Sequence, residues 1–265
     1  MAGPPARGPL DPSPGDREAA LAASGRRLRD GVPSALYLLG WALALAVVLV
    51  ALGWLLAKVV HDDGIGRADS SLSRWLEHRR SDQLNDVTAY LTEAGGTLTI
   101  AILAVLAVAT TAMVWRRWRE PMLVAVAVTG EVGIFLLVTM LVDRERPPVK
   151  QLDDAPPTSS FPSGHTAAAI VLYGALAVLA NERARSALVR GLFLTIAVVV
   201  PLLVAASRLY RGMHYLTDVL GGVLLGTAWL YAAVHGIRLG VAHWQLRHGG
   251  GAAGWPHRRS AVRHG

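Results

Sequence analysis

Six long apolar runs, separated by short polar stretches, constrain the fold of this chain more than any other feature. The first reads ALYLLGWALALAVVLVALGWLLAKVV over residues 35–60, longer than the ~20 residues that carry a helix across a bilayer. Further runs lie at about 91–115, 122–142, 165–180, 191–206 and 218–239. In hydrocarbon the backbone has no water to bond to, so continuous apolar segments of this length must satisfy their own N–H and C=O groups as helices. The predicted fold class is all-α: a polytopic membrane helix bundle of about six transmembrane helices, occupying residues 34–240.

The flanks read differently. Residues 1–33 are rich in Pro, Gly, Ala and Arg and carry no short apolar core with a small-residue cleavage site, so a disordered tail is expected, with a short helix near Arg17 to Arg29. Residues 241–265 are basic and are expected to be a second disordered tail. An even number of spans puts both tails on one side. That side collects sixteen of the 26 basic residues and few acids, which predicts cytoplasmic termini. Between the first two spans, Leu72, Trp75 and Leu76 fall at i, i+3, i+4 among charges, the pattern of a short amphipathic helix on the membrane surface or of a plain loop helix.

Composition removes several classes. Only 17% of residues are charged against 52% hydrophobic, and mean hydropathy is +0.38. There is no cysteine, so disulfide, zinc-thiolate and thiol-nucleophile chemistry are excluded. The net charge of +7 lies in loops and tails beside apolar runs, which fits membrane topology better than nucleic-acid binding.

Three polar segments end spans on the face opposite the tails: DRERPPVKQLDD, SSFPSGHT and SRLYRGMHYLTD. Arginines that converge suit an anion of more than one charge, because guanidinium groups fit phosphate oxygens in pairs. Ser163 and Gly164 open a helix, where free N–H groups and the dipole favour an anion and glycine permits close approach. His214 and Asp218 are spaced i, i+4, which on a helix would let the carboxylate accept one ring N–H and leave the other nitrogen as a nucleophile. His165 supplies a second imidazole for proton transfer.

These segments resemble the three signature motifs of the type 2 phosphatidic acid phosphatase family, which shares its core with glucose-6-phosphatase and the vanadium haloperoxidases. The family pattern runs K-x6-R-P, P-S-G-H and S-R-x5-H-x3-D. Pro162 to His165 match the second in full, and Ser207, Arg208, His214 and Asp218 match the third. In the first, Arg146 and Pro147 match, but the lysine position is Thr139. The resemblance covers about residues 35–240 and implies a metal-independent phosphatase with no cofactor, acting on a lipid phosphate or diphosphate of the undecaprenyl diphosphate, phosphatidate or phosphatidylglycerol phosphate class. It implies that His214 attacks phosphorus to form a phosphohistidine, that Asp218 orients it and that His165 protonates the leaving group. Arg146, Ser163, Gly164 and Arg208 would hold the phosphoryl oxygens, with Arg144 and Lys150 as auxiliary cations. Its partners are then the lipid substrate and membrane lipids, not nucleic acid, and the active site faces outward. Because Thr139 removes one cationic contact, a catalytically silent or altered lipid-phosphate binder or transporter is the alternative. Glu131, inside the third span, reads either as functional or as a protonated packing residue. Gly222 and Gly226 read as a close-packing G-x3-G pair.

Overall fold

The computed structural model describes residues 14–59, 64–154 and 158–248. It is 82% helical, with no strand among the described residues. The helices are α1 (Pro14–Trp54, extended by a π turn over Leu55–Val59), α2 (Gly64–Glu77), α3 (Asp82–Glu93), α4 (Thr97–Trp115), α5 (Arg119–Leu141), α6 (Gly164–Arg183), α7 (Ala187–Tyr210) and α8 (Leu216–His248). Six candidate membrane spans result: Pro33–Lys58, Asp82–Trp115, Arg119–Leu141, Gly164–Arg183, Ala187–Tyr210 and Leu216–Ala242. The chain is a multi-pass membrane protein.

Helix enters both segments expected as tails. α1 is already helical at Pro14, and α8 continues to His248. The rest of those two expectations, at 1–13 and 249–265, lies outside the described residues.

The small side chains of α6 place it at the centre of the bundle. Ala167, Val171, Leu172 and Ala175 are fully buried between neighbouring helices. α8 reaches it closely through Gly222 and Gly226. A Cβ on these residues would lie 2.4 Å from the Ser163 carbonyl oxygen and 2.9 Å from that of Ala167, so the expected close-packing role of the pair holds. On the other side of α8, Trp229 fills the notch at Gly130 of α5 and its indole N–H donates to the Ala127 carbonyl at 2.9 Å. Glu131 lies in the buried stripe of α5 with Ala127, Ile134 and Val138. Outward leucines and valines on α1, α4 and α7 are exposed, as lipid-facing surfaces require no polar cover.

Charges gather at the two ends of the bundle. At one end Arg183 pairs with buried Glu120, and Glu182 receives both Arg119 and Arg238, each at 3.0 Å. This ties α5, α6 and α8 together. The other end holds the three motif segments.

Candidate active site

Hydrogen bonds to main-chain carbonyls stitch the three motif segments into one unit. Ser160 N–H donates to the Arg144 carbonyl (2.9 Å), Ser163 N–H to the Asp218 carbonyl (2.9 Å), and Arg146 Nη1 to the Met213 carbonyl (2.7 Å). Phe161 is the wedge beneath them. It is buried against Gly53 of α1 and Gly221 of α8, where an added Cβ would stand 2.9 and 2.4 Å from its ring. The Phe161–Pro162 peptide is cis. Gly212, at φ +73, turns the chain out of α7 and delivers Met213 and His214 to the same place; a side chain there would be strained.

His214 is buried, and its Nδ1 lies 2.8 Å from the Ser160 carbonyl. A carbonyl can only accept, so in the neutral ring the proton sits on Nδ1 and Nε2 carries the lone pair. Burial holds the ring below the usual histidine range, and Asp218 only partly opposes this. The arrangement differs from the one expected for a helical i, i+4 pair. α8 begins at Leu216, after His214, and the ring nitrogen is 3.8 Å from Asp218 Oδ2. Asp218 therefore provides a nearby charge, and the hydrogen bond goes to Ser160. The carboxylate instead accepts Tyr215 N–H at 2.8 Å and pairs with Arg144.

Arg144, expected as an auxiliary cation, is already paired. Its guanidinium is buried between Asp218 and Asp69, the latter at 3.1 Å, and lies over the Tyr215 ring at 4.6 Å. Two carboxylates already neutralise it, although its Nε has no partner. Lys150 is exposed, and its backbone is what the fold grips: its N–H donates to Glu77 and its carbonyl accepts Arg80.

The other expected residues converge. Arg146, Arg208 and His214 all act electrostatically on His165, which stands in the first turn of α6. Arg146 is half-buried; burial lowers its pKa while Asp218 acts to raise it. Ser163 stands at the N-cap position of α6 without a side-chain capping bond, and its buried hydroxyl instead shares a 3.0 Å bond with the Thr166 hydroxyl. Gly164 presents its face to the Phe135 ring, 2.8 Å from where a Cβ would sit. Thr139 Oγ1 donates to the Leu136 carbonyl at 3.0 Å, so a neutral hydroxyl turned onto its own helix stands at the lysine position. Among the described residues no group of three or more His, Asp or Glu is placed to hold a metal ion.

Several contributors lie outside the motifs. Asp69 and Ser73 of α2 are buried, whereas Ile65 and Trp75 are exposed. The helix thus turns its polar stripe towards the site: Asp69 holds Arg144 and both the hydroxyl and N–H of Thr217. The spacing of Gly66, Asp69 and Ser73 along one face was the available signal, but the apolar stripe at Leu72 and Leu76 is the louder one. Asp153 grips Arg208 at 2.8 Å and Arg211 at 2.5 Å. Its carboxyl is mostly buried and is held below the usual range: burial would raise it, but the two arginines outweigh that.

The model of the PAP2 superfamily matches residues 120–239, which contain all three motif segments. These residues belong to the PAP2 superfamily. Phosphatidylglycerophosphatase B of Bacillus subtilis (strain 168) is 29% identical over 173 residues, covering 65% of this chain and 84% of that protein. The crystal structure of a transmembrane PAP2-type phosphatidylglycerolphosphate phosphatase from Bacillus subtilis is similar at TM-score 0.64 and 26% identity, covering 72% of this chain and 94% of that one. A structure of Aquifex aeolicus LpxE gives TM-score 0.49 at 18% identity over 63% of this chain and 93% of its own. The first two relatives support a membrane phosphatase of the hydrolase class, and the bundle that positions the motifs is the PAP2 transmembrane fold.

Proposed function

We propose that this chain hydrolyses a lipid phosphate or diphosphate through a phosphohistidine on His214, at a site on the outer face of the membrane. One observation carries the reading: a buried imidazole whose Nδ1 is fixed by the Ser160 carbonyl stands in one locus with His165, Arg146, Arg208 and the opening turn of α6. Nε2 attacks phosphorus, and the bond to the leaving oxygen breaks as His165 delivers a proton to it. Arg146, Arg208 and the free N–H groups at Gly164 hold the equatorial oxygens, whose charge grows in the transition state. Water, relieved of a proton by His165, then attacks the phosphohistidine and releases phosphate.

The site lies at the bundle end opposite the start of α1 and the end of α8. With cytoplasmic termini, a headgroup in the outer leaflet would reach it from the membrane plane. Among the candidate substrates, phosphatidylglycerol phosphate is favoured by the activity named for the Bacillus relatives; phosphatidate and undecaprenyl diphosphate share the phosphoryl chemistry. The donor set needs no metal for any step.

The test is phosphate release by detergent-purified protein from a panel of these lipids with chelator present. Turnover of at least one, abolished in His214→Ala, is the expected result. Equal turnover in His214→Ala would overturn the nucleophile. The neutral Thr139 favours one second reading, a silent lipid-phosphate binder, which would bind the panel lipids without releasing phosphate.

A further inference from the structure

Arg211 and Arg208 are both buried arginines of the third motif segment, but the fold treats them differently. Every guanidinium nitrogen of Arg211 has an acceptor. Nε meets Asp153 Oδ1 (2.8 Å), Nη1 meets the Asn85 carbonyl (2.9 Å) and Thr88 Oγ1 (3.2 Å), and Nη2 meets the Leu152 carbonyl (3.0 Å) and Asp153 Oδ1 (2.5 Å). Arg211 is thereby saturated, and its role is to fix the Asp153 carboxylate. The second oxygen of that carboxylate, Oδ2, then takes Arg208 Nη1 at 2.8 Å, and Thr92 Oγ1 of α3 takes the same nitrogen at 3.1 Å. Nη1 has two N–H groups and both are matched. The opposite edge of the guanidinium differs: Nε is buried and has no partner. Nε and Nη2 form the side-on fork that suits two oxygens of one phosphate.

We propose that Asp153, tethered by Arg211, is a positioning residue for phosphate binding: with Thr92 it grips the Nη1 end of Arg208 and turns the Nε edge towards the phosphoryl group. The inference rests on the reading of the site as a phosphate-binding one, and extends it to a loop carboxylate outside all three motifs. A carboxylate beside a phosphate site would ordinarily repel the anion, so the sign of its effect is diagnostic. If Asp153 acts by charge alone, removing it strengthens anion binding. If it acts by holding Arg208, removing it weakens anion binding. In Asp153→Asn a single amide oxygen must serve two arginines, and the amide NH2 faces one of them.

The experiment measures inorganic phosphate binding to the purified full chain in detergent by calorimetry, alongside KM and kcat for a lipid phosphate. In Asp153→Asn the phosphate Kd and the lipid KM are expected to rise roughly tenfold, the scale of one charge-assisted hydrogen bond, with a smaller change in kcat. Thr92→Val keeps the carboxylate and removes the other Nη1 partner, so its Kd should rise in the same direction; this variant also guards against misfolding of the first. An unchanged or tightened Kd in Asp153→Asn, or an unchanged Kd in Thr92→Val, overturns the inference while wild-type turnover leaves the phosphatase reading standing. A wild type that neither binds phosphate nor turns over any lipid overturns both.

Discussion

The Nδ1 of His214 is 2.8 Å from the Ser160 carbonyl and 3.8 Å from Asp218 Oδ2, so a main-chain oxygen, not the motif carboxylate, sets the ring tautomer. The main effect of Asp218 is then indirect, through the charge it supplies and through Arg144, which it pairs with. Asp218→Asn should retain turnover on the order of tenfold or more above His214→Ala, because the nitrogen proposed as nucleophile stays available. It should also unfold more readily, since Arg144 loses one of two buried counter-charges. Turnover and thermal unfolding in detergent check this together. A variant as inactive as His214→Ala with unaltered unfolding would show that Asp218 acts on the ring directly.

Asp69 offers the matching test from α2. It is 4% exposed and holds Arg144 and Thr217. Breaking a buried ion pair by removing one partner typically costs about 3–5 kcal/mol. Asp69→Asn keeps the shape and should lie near the lower end of that range, as a clear fall in the unfolding midpoint. Arg238→Ala is the control: that residue is half-exposed where it meets Glu182, and exposed pairs contribute about 0–1 kcal/mol. Equal losses in the two variants would contradict the view that α2 is part of the site.

The bundle was readable because a bilayer leaves the backbone so few choices: every predicted span has its helix, at boundaries displaced by a few residues at most ends. The second span is the exception, reaching back to Asp82 through the break at residues 94–96, where Gly95 packs on the His165 carbonyl. That the three motif segments meet was legible because each ends a span on the same face, and the structure bonds them to one another. Residues whose role depends on a partner far along the chain were not. Asp69 meets Arg144 across 75 positions and Asp153 meets Arg208 across 55, and no local period encodes such a meeting. The pairing of Arg144 was hidden for the same reason: a cation beside a phosphate motif reads as an anion ligand, and its two carboxylates lie far along the chain.

The pH dependence follows from burial of His214. Burial, assisted by Arg208 and Arg146 and opposed by Asp218, lowers its pKa from an ordinary 6.5. In the proposed mechanism the neutral ring is the nucleophile, so a lowered pKa keeps it competent to more acid conditions. The acid limb of kcat/KM, corrected for the ionisation of the substrate phosphate, should therefore have its midpoint below 6.5. In Asp218→Asn the opposing influence is gone and the midpoint should move further to acid. A limb above 6.5 in the wild type, or a shift to alkaline pH in the variant, would contradict this assignment.

Gly222 tests whether contact between α8 and the start of α6 shapes the site. A Cβ there would sit 2.4 Å from the Ser163 carbonyl oxygen and 3.2 Å from Thr166 Cβ. The first obstacle is backbone, which cannot rotate aside as a side chain can. The same stretch of α6 carries Gly164 and His165, and Ser163 N–H is bonded to the Asp218 carbonyl one turn earlier on α8. Gly222→Ala must therefore push the two helices apart at the turn proposed to bind phosphate. Overpacking of this kind costs about 1–3 kcal/mol, and the displaced turn should reduce kcat/KM beyond what the stability loss explains. Gly133→Ala, at a position where an added Cβ meets nothing within 4 Å, should leave both quantities near wild type. Comparing the two by thermal unfolding and by phosphate release at a temperature where both are folded separates geometry from stability; full activity in Gly222→Ala would mean that the turn tolerates displacement.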